Sequence, residues 1–168
     1  MSSTILETDR LRLRELCEAD APFILELLND PTFIQNIVDK GVRNIDQACD
    51  YINNGPIKSY QQNGFGLYLT ELKKEKAPIG MCGLVKRDGL EHPDIGYALL
   101  PAFWSKGYAY ESAAAMLEYA KTVLQLPRVV GITNPENVAS VRILEKIGLK
   151  FERIINLGND MPDTKYYS

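Results

Sequence analysis

The sequence predicts an α/β protein, a single domain over residues 1–168 built around a mixed sheet. Three observations carry this reading. Apolar periodicity switches between two and about 3.6, in the order strand, two helices, three strands, helix, strand, helix, two strands. That order makes about seven strands flanked by about four helices. The stretch from Asp94 to Thr133 reads strand–helix–strand, the pattern of a parallel crossover. Hydrophobic residues make up 45% of 168, enough to fill one core.

Arg10-Leu11-Arg12-Leu13-Arg14 alternates with period two, as a strand with one apolar face does. Its three arginines share the other face, which is read as solvated or ion-paired, with anion binding as the alternative. A helix runs from Asp20 to about Asn29 on Phe23, Leu27 and Leu28, and Asp30-Pro31 stops it, leaving a mixed loop. A second helix spans Asp46 to about Gln61 on Ala48, Cys49 and Ile52, with Gly55-Pro56 arguing against an unbroken rod. Gly66–Glu71 and Ile79–Lys86 read as strands around the polar turn Lys73-Lys74-Glu75-Lys76. His92–Leu100 is the next strand, ended by Pro101. Gly107–Leu124 is the strongest helix, with Ala109, Ala113, Leu117, Ala120 and Leu124 on one stripe. Arg128–Thr133 is a strand. Asn134-Pro135 opens a helix whose buried stripe is Val138, Val141, Leu144 and Ile147, closed by Gly148. Phe151–Leu157 and Thr164–Tyr167 form a final antiparallel pair around Gly158-Asn159-Asp160.

Composition narrows the function. Charged residues make up 24% and the formal net charge is −3, which gives no bulk nucleic-acid footprint. No apolar run approaches the roughly 18–20 residues that span a bilayer. Met1-Ser2-Ser3-Thr4 lacks the basic start of a signal peptide, so a cytoplasmic location is expected. Cys17, Cys49 and Cys82 are widely spaced and odd in number, and His92 is the only histidine. No metal is therefore expected, and the cysteines read as reduced, mostly buried thiols.

Two stretches carry chemistry. Trp104-Ser105-Lys106-Gly107-Tyr108-Ala109 lies between a strand and the longest helix. Such a turn leaves several backbone N–H groups unpaired and aimed one way, and the helix dipole adds partial positive charge. This describes an anion site, commonly one for phosphate. Gly107 would let a ligand approach without meeting a Cβ. Neither the nucleotide P-loop spacing nor the dinucleotide glycine fingerprint is present, and a purely structural turn is the alternative. The second stretch is Asn134-Pro135-Glu136-Asn137-Val138-Ala139-Ser140. Helix capping accounts for Asn134 and Asn137 but not for Ser140, well inside the helix. Asn137 and Ser140 share a helix face.

With Ile95-Gly96-Tyr97-Ala98-Leu99-Leu100-Pro101 before them and Leu144-Glu145-Lys146-Ile147-Gly148-Leu149 after, these motifs resemble the GNAT superfamily of acyl-CoA-dependent N-acetyltransferases. The likeness runs from about Glu7 to Phe151. The opening Thr8-Asp9-Arg10-Leu11-Arg12-Leu13-Arg14 is similar to the branch that acetylates the N-terminal residue of ribosomal proteins. The resemblance implies a mostly antiparallel, twisted sheet and acetyl-CoA as acetyl donor. Cofactor contacts are implied for Leu99, Leu100, Ser105, Lys106, Gly107, Tyr108, Ala109, Tyr110, Asn137 and Ser140. The turn would hold the pyrophosphate through its N–H groups, with Trp104 in place of the usual Arg or Gln. Asn137 would bond the pantetheine arm. The strand from Tyr97 to Leu100 would splay from its neighbour and offer an N–H to the thioester carbonyl.

The implied reaction is direct attack by a primary amine through a tetrahedral intermediate. An alkyl amine, pKa about 8–10.4, must first lose a proton, and the departing thiolate, pKa near 8.5, needs only a weak donor. Ser140 is assigned to the thiolate. Asp94 is assigned as the base through a bridging water, with His92 and Glu91 as rivals and a solvated strand-end charge as the alternative. The acceptor is expected to be a protein N-terminus. A small amine such as a polyamine or aminoglycoside is the runner-up, and a non-catalytic acyl-CoA-binding module is the other class. The acceptor groove is expected between the segment after Pro31 and the loop from Gly158 to Asp163. No nucleic-acid or membrane partner is expected, and the protein is read as a monomer or homodimer.

Overall fold

A computed structural model describes residues 3–158 and 162–168. Its strands are β1 (Thr4–Glu7), β2 (Leu11–Arg14), β3 (Leu67–Leu72), β4 (Ala77–Val85), β5 (Asp94–Leu99), β6 (Gly131–Thr133), β7 (Phe151–Ile155) and β8 (Thr164–Tyr167). Its α-helices are α1 (Ala21–Leu28), α2 (Pro31–Asn36), α3 (Ile45–Ile52), α4 (Lys58–Asn63), α5 (Tyr108–Thr122) and α6 (Val138–Lys146). The strands form two sheets, a five-stranded one in the order β1-β2-β3-β4-β5 and a three-stranded one in the order β6-β8-β7. All pairings within the sheets are antiparallel.

Alternation along the strands sorts the core onto two faces. Leu11, Leu13, Tyr68, Cys82, Leu84, Ile95 and Leu99 pack with Ala113, Met116 and Ala120 of α5. Small residues at Ala113 and Ala120 let α5 lie close to the sheet, and complete burial of Met116 contributes about 1.5–3 kcal/mol. Leu69 and Met81 face the other way and pack with Ile24, Leu27 and Leu28 of α1 and with Ala48 and Ile52 of α3.

The crossover expected between Asp94 and Thr133 is present, but its two strands barely touch. A single parallel bridge joins Asp94 to Val130. Ile95 N–H donates to Val130 O at 2.8 Å and Val130 N–H to Pro93 O at 2.9 Å. Beyond that point β6 pairs with β8 instead, so β5 and β6 diverge into a wedge.

Several boundaries differ from the sequence expectation. Thr4–Glu7 adds an edge strand, paired with β2. Asp30-Pro31 both ends α1 and starts α2, because the Asp30 carboxylate accepts Thr32 N–H at 2.9 Å and Pro31 sits where no N–H is needed. The second helix divides into α3 and α4, joined by a π-helical turn over Asn53–Ile57 that carries Pro56. The wider turn lets the chain pass a residue with no N–H to give. The last helix begins at Val138 rather than Asn134, and Val138 is exposed instead of forming part of the buried stripe. Arg12 and Arg14 are ion-paired, as read: Arg12 Nε donates to Glu71 Oε1 at 2.6 Å and Arg14 Nη2 to Asp20 Oδ1 at 2.8 Å. The three cysteines are free, with Cys82 buried and Cys17 and Cys49 half-buried. Of the expected turn Gly158-Asn159-Asp160, the last two residues lie outside the described residues.

Candidate active site

The wedge between β5 and β6 is the cleft around which the motif residues gather. Even-numbered residues of β5 send their N–H groups toward β4, and the series continues past the strand end with Leu100 N–H donating to Ile79 O at 2.9 Å. Odd-numbered ones point toward β6, as Ile95 does. The N–H groups of Tyr97 and Leu99 therefore face the open wedge. An extended, amide-bearing arm could add to this edge as a strand does. Of the two strand residues implied as cofactor contacts, Leu99 offers its N–H to the cleft, whereas that of Leu100 is engaged by Ile79.

The turn from Trp104 to Tyr108 closes the end of β5. Ser105 at φ 62° and Gly107 at φ 84° are both left-handed, on either side of Lys106. Alternating hands of this kind gather successive N–H groups into a concavity. The first helical bond of α5 is Glu111 N–H to Gly107 O at 3.0 Å. Among the described residues, no backbone carbonyl accepts from the N–H groups of Ser105, Lys106, Gly107, Tyr108, Ala109 or Tyr110. Six donors at a helix N-terminus, with no side chain at Gly107, fit a pyrophosphate. Trp104 holds the turn back against the strand, its indole N–H donating to Leu99 O at 2.9 Å.

A second brace comes from Arg10, which the sequence pattern grouped with the strand arginines. Arg10 lies outside β2 and reaches across to the turn. Its Nη1 donates to Lys106 O at 2.9 Å, its Nε pairs with Glu111 Oε2 at 3.1 Å, and its guanidinium lies 4.4 Å over the Tyr108 ring. Turning the Lys106 carbonyl toward Arg10 helps leave the N–H side of the turn free for a ligand.

On α6, both asparagines act as caps. Asn134 Oδ1 accepts Glu136 N–H at 2.9 Å, and Asn137 Oδ1 accepts Ser140 N–H at 3.2 Å. Capping fixes the oxygen end of Asn137 and leaves its amide NH2 to donate to a ligand. Ser140 is half-buried and faces the Tyr97 phenol on β5. Tyr97 Oη lies 3.0 Å from Ser140 O and 3.1 Å from Ser140 Oγ. The sequence places Tyr97 on the strand expected to splay and gives its phenol no role.

Asp94 opens β5 and is 1% exposed, so it is not a solvated strand-end charge. Burial pushes its carboxyl up to about 6, while the Arg87 guanidinium, Nε 2.8 Å from Asp94 Oδ1, pulls the other way. The charge of Arg87 also reaches Tyr51 on α3. By alternation Asp94 shares the face of Ala98, which packs toward α1 and α3, whereas Tyr97 packs on the α5 side. Asp94 and Ser140 thus flank the wedge from opposite faces of the sheet. His92 and Glu91 line a cavity of about 320 Å³ with Phe65, Lys86, Pro93, Leu126 and Arg128. That cavity includes neither Ser140 nor the anion turn. Among the described residues no cluster of His, Cys, Asp or Glu is arranged for a metal, and no helix is long and apolar enough to cross a membrane. Part of the expected acceptor wall, Asn159 to Met161, lies outside the described residues.

Known proteins resemble this chain in sequence and fold. A family model described as an acetyltransferase (GNAT) domain matches residues 10–150. The uncharacterized protein YkkB of Bacillus subtilis (strain 168) is 32% identical over 165 residues, covering 94% of this chain and 92% of its own. A GNAT-family acetyltransferase structure from Bacillus anthracis superimposes with a TM-score of 0.79 at 27% identity, over 99% of this chain and 96% of that one. The structure of RimL, a ribosomal L7/L12 alpha-N-protein acetyltransferase in complex with coenzyme A, gives a TM-score of 0.84. At 19% identity, over 98% of this chain and 96% of that one, it is a likeness of fold alone.

Proposed function

The chain belongs to the acetyltransferase (GNAT) domain family and transfers acetyl groups from acetyl-CoA, and we propose that its acceptor is a primary amine, first of all a protein N-terminus. The observation that carries the reading is the wedge between β5 and β6 with six N–H groups at its mouth from which, among the described residues, no backbone carbonyl accepts. The sequence Thr8 to Arg14, with its likeness to the ribosomal-protein branch, supports the choice of acceptor.

Bound acetyl-CoA supplies an activated thioester carbonyl. The N–H groups of Ser105 to Tyr110 hold its pyrophosphate, and the Asn137 amide donates to its pantetheine arm. The N–H groups of Tyr97 and Leu99 face the cleft, where a fixed donor stabilises the negative charge that develops on the carbonyl oxygen. Asp94, held by Arg87, accepts the amine proton through a water. A carboxyl titrating at about 6 is ionised at neutral pH yet more basic than an ordinary aspartate. Ser140 donates its hydroxyl hydrogen bond to the sulfur as it gains charge. Asp94 and Ser140 serve amine and sulfur from opposite faces, so acceptor and donor need not compete for one entrance.

An acceptor panel tests the reading: N-terminal peptides, polyamines, aminoglycosides and free amino acids with acetyl-CoA, followed by thiol release. Peptide turnover blocked by N-terminal formylation is the expected result. Turnover of polyamines or aminoglycosides alone would move the acceptor to small amines. Tight acetyl-CoA binding with no turnover on any acceptor would mark a non-catalytic acyl-CoA-binding module.

A further inference from the structure

We propose that Tyr97 is the positioning residue for Ser140, setting the direction of its hydroxyl from across the wedge. The inference rests on the assignment of Ser140 to the leaving thiolate and adds a partner to it. Two oxygens of Ser140 lie within hydrogen-bond reach of one phenol, O at 3.0 Å and Oγ at 3.1 Å. The two residues stand 43 apart in sequence, on β5 and α6, so the contact ties the two arms of the cleft together.

Hydrogen counting shows what the phenol can do. It carries one proton and faces two acceptors, while the serine hydroxyl carries one proton of its own. In the first arrangement Tyr97 donates to Ser140 O and accepts from Ser140 Oγ. In the second, Tyr97 donates to Ser140 Oγ, which frees the serine proton for a third partner. Charge building on the sulfur draws the system into the second arrangement. Both hydroxyls rotate, and no covalent bond forms or breaks at either. The hydrogen bond to Oγ polarises the serine as a donor. Tyr97 remains a neutral phenol throughout, since burial raises its pKa above the ordinary value of 10. Its place on the strand is held by its neighbours Gly96 and Ala98, whose N–H groups bond to β4, while Cys82 opposite it is fully buried.

The test is a double-mutant cycle of Tyr97→Phe and Ser140→Ala. Rates are measured with the best acceptor of the panel and as acceptor-free thiol release from acetyl-CoA in water. Tyr97→Phe keeps the ring and its packing and should lower kcat about tenfold, with the acetyl-CoA KM within about twofold of the parent. Ser140→Ala should lower kcat at least as much. The double variant should match Ser140→Ala alone, because the phenol has nothing left to orient. Multiplicative losses would mean that the two groups act independently and would overturn the proposal. A rise in KM with kcat intact would reduce Tyr97 to a packing residue. A slow Ser140→Ala with Tyr97→Phe at the parental rate would sink this proposal alone. Ser140→Ala at the parental rate would sink the serine assignment, and the proposal with it.

Discussion

Asp94 shows how one buried carboxyl can serve chemistry at a cost in stability. Its native pKa of about 6 stands above the ordinary 3.8 because burial disfavours the anion. Well below pH 3.8 the group is protonated in folded and unfolded chains alike, and no penalty exists. As pH rises from about 4 through 6, the unfolded chain releases its proton first and the folded state loses about 3 kcal/mol. Asp94→Asn should therefore gain stability relative to the parent across that window and keep the gain above it. Urea titrations from pH 4 to 8 measure this, and a pH-independent difference would refute it. The same variant should transfer acetyl slowly at neutral pH and recover as alkali supplies free amine. At this scale the sequence was legible where a residue's role is local. Asn137 reads as a cap because its partner, Ser140 N–H, is three residues away. Arg10 was grouped with Arg12 and Arg14 because alternation has no knowledge of Lys106, 96 residues on.

Elements follow the same division. The strand and long helix around the anion turn were readable, since period and capping signals are short-range. What those signals miss is a residue that acts in two elements at once, as Asp30-Pro31 does by ending α1 and opening α2. The turn itself is held by groups foreign to it: Trp104 clasps Leu99 O, and Arg10 clasps Lys106 O. Arg10→Gln should leave the fold intact and raise the acetyl-CoA KM several-fold with little change in kcat, because it loosens binding rather than chemistry. Gly107→Val should do worse, since a Cβ there meets Arg10 Nη2 at 3.3 Å and φ 84° disfavours a branched side chain. Thermal shifts offer an independent readout. Saturation at a hundred times Kd adds about 2.7 kcal/mol to the parent, and both variants should shift less at the same ligand concentration. A full shift in either would show that the clasp is not needed for binding.

For the molecule as a whole, the sequence pattern reads as one sheet, yet the strands form two that meet at Asp94 and Val130. Nothing in the Arg128–Thr133 run says that β6 leaves β5 after one bridge, because that choice is made by β8, more than thirty residues later. The bridge has a consequence for amide hydrogen–deuterium exchange. Down one strand, protection should alternate: Ile95, Gly96 and Ala98 are slow, while Tyr97 and Leu99 exchange at rates nearer those of a loop. Adding acetyl-CoA should slow Tyr97 and Leu99 and leave their neighbours unchanged, so that the ligand is recorded as the missing strand of the ladder. Uniform protection along β5 in the free protein would mean that the wedge is shut in solution and must be pried open before the donor can enter.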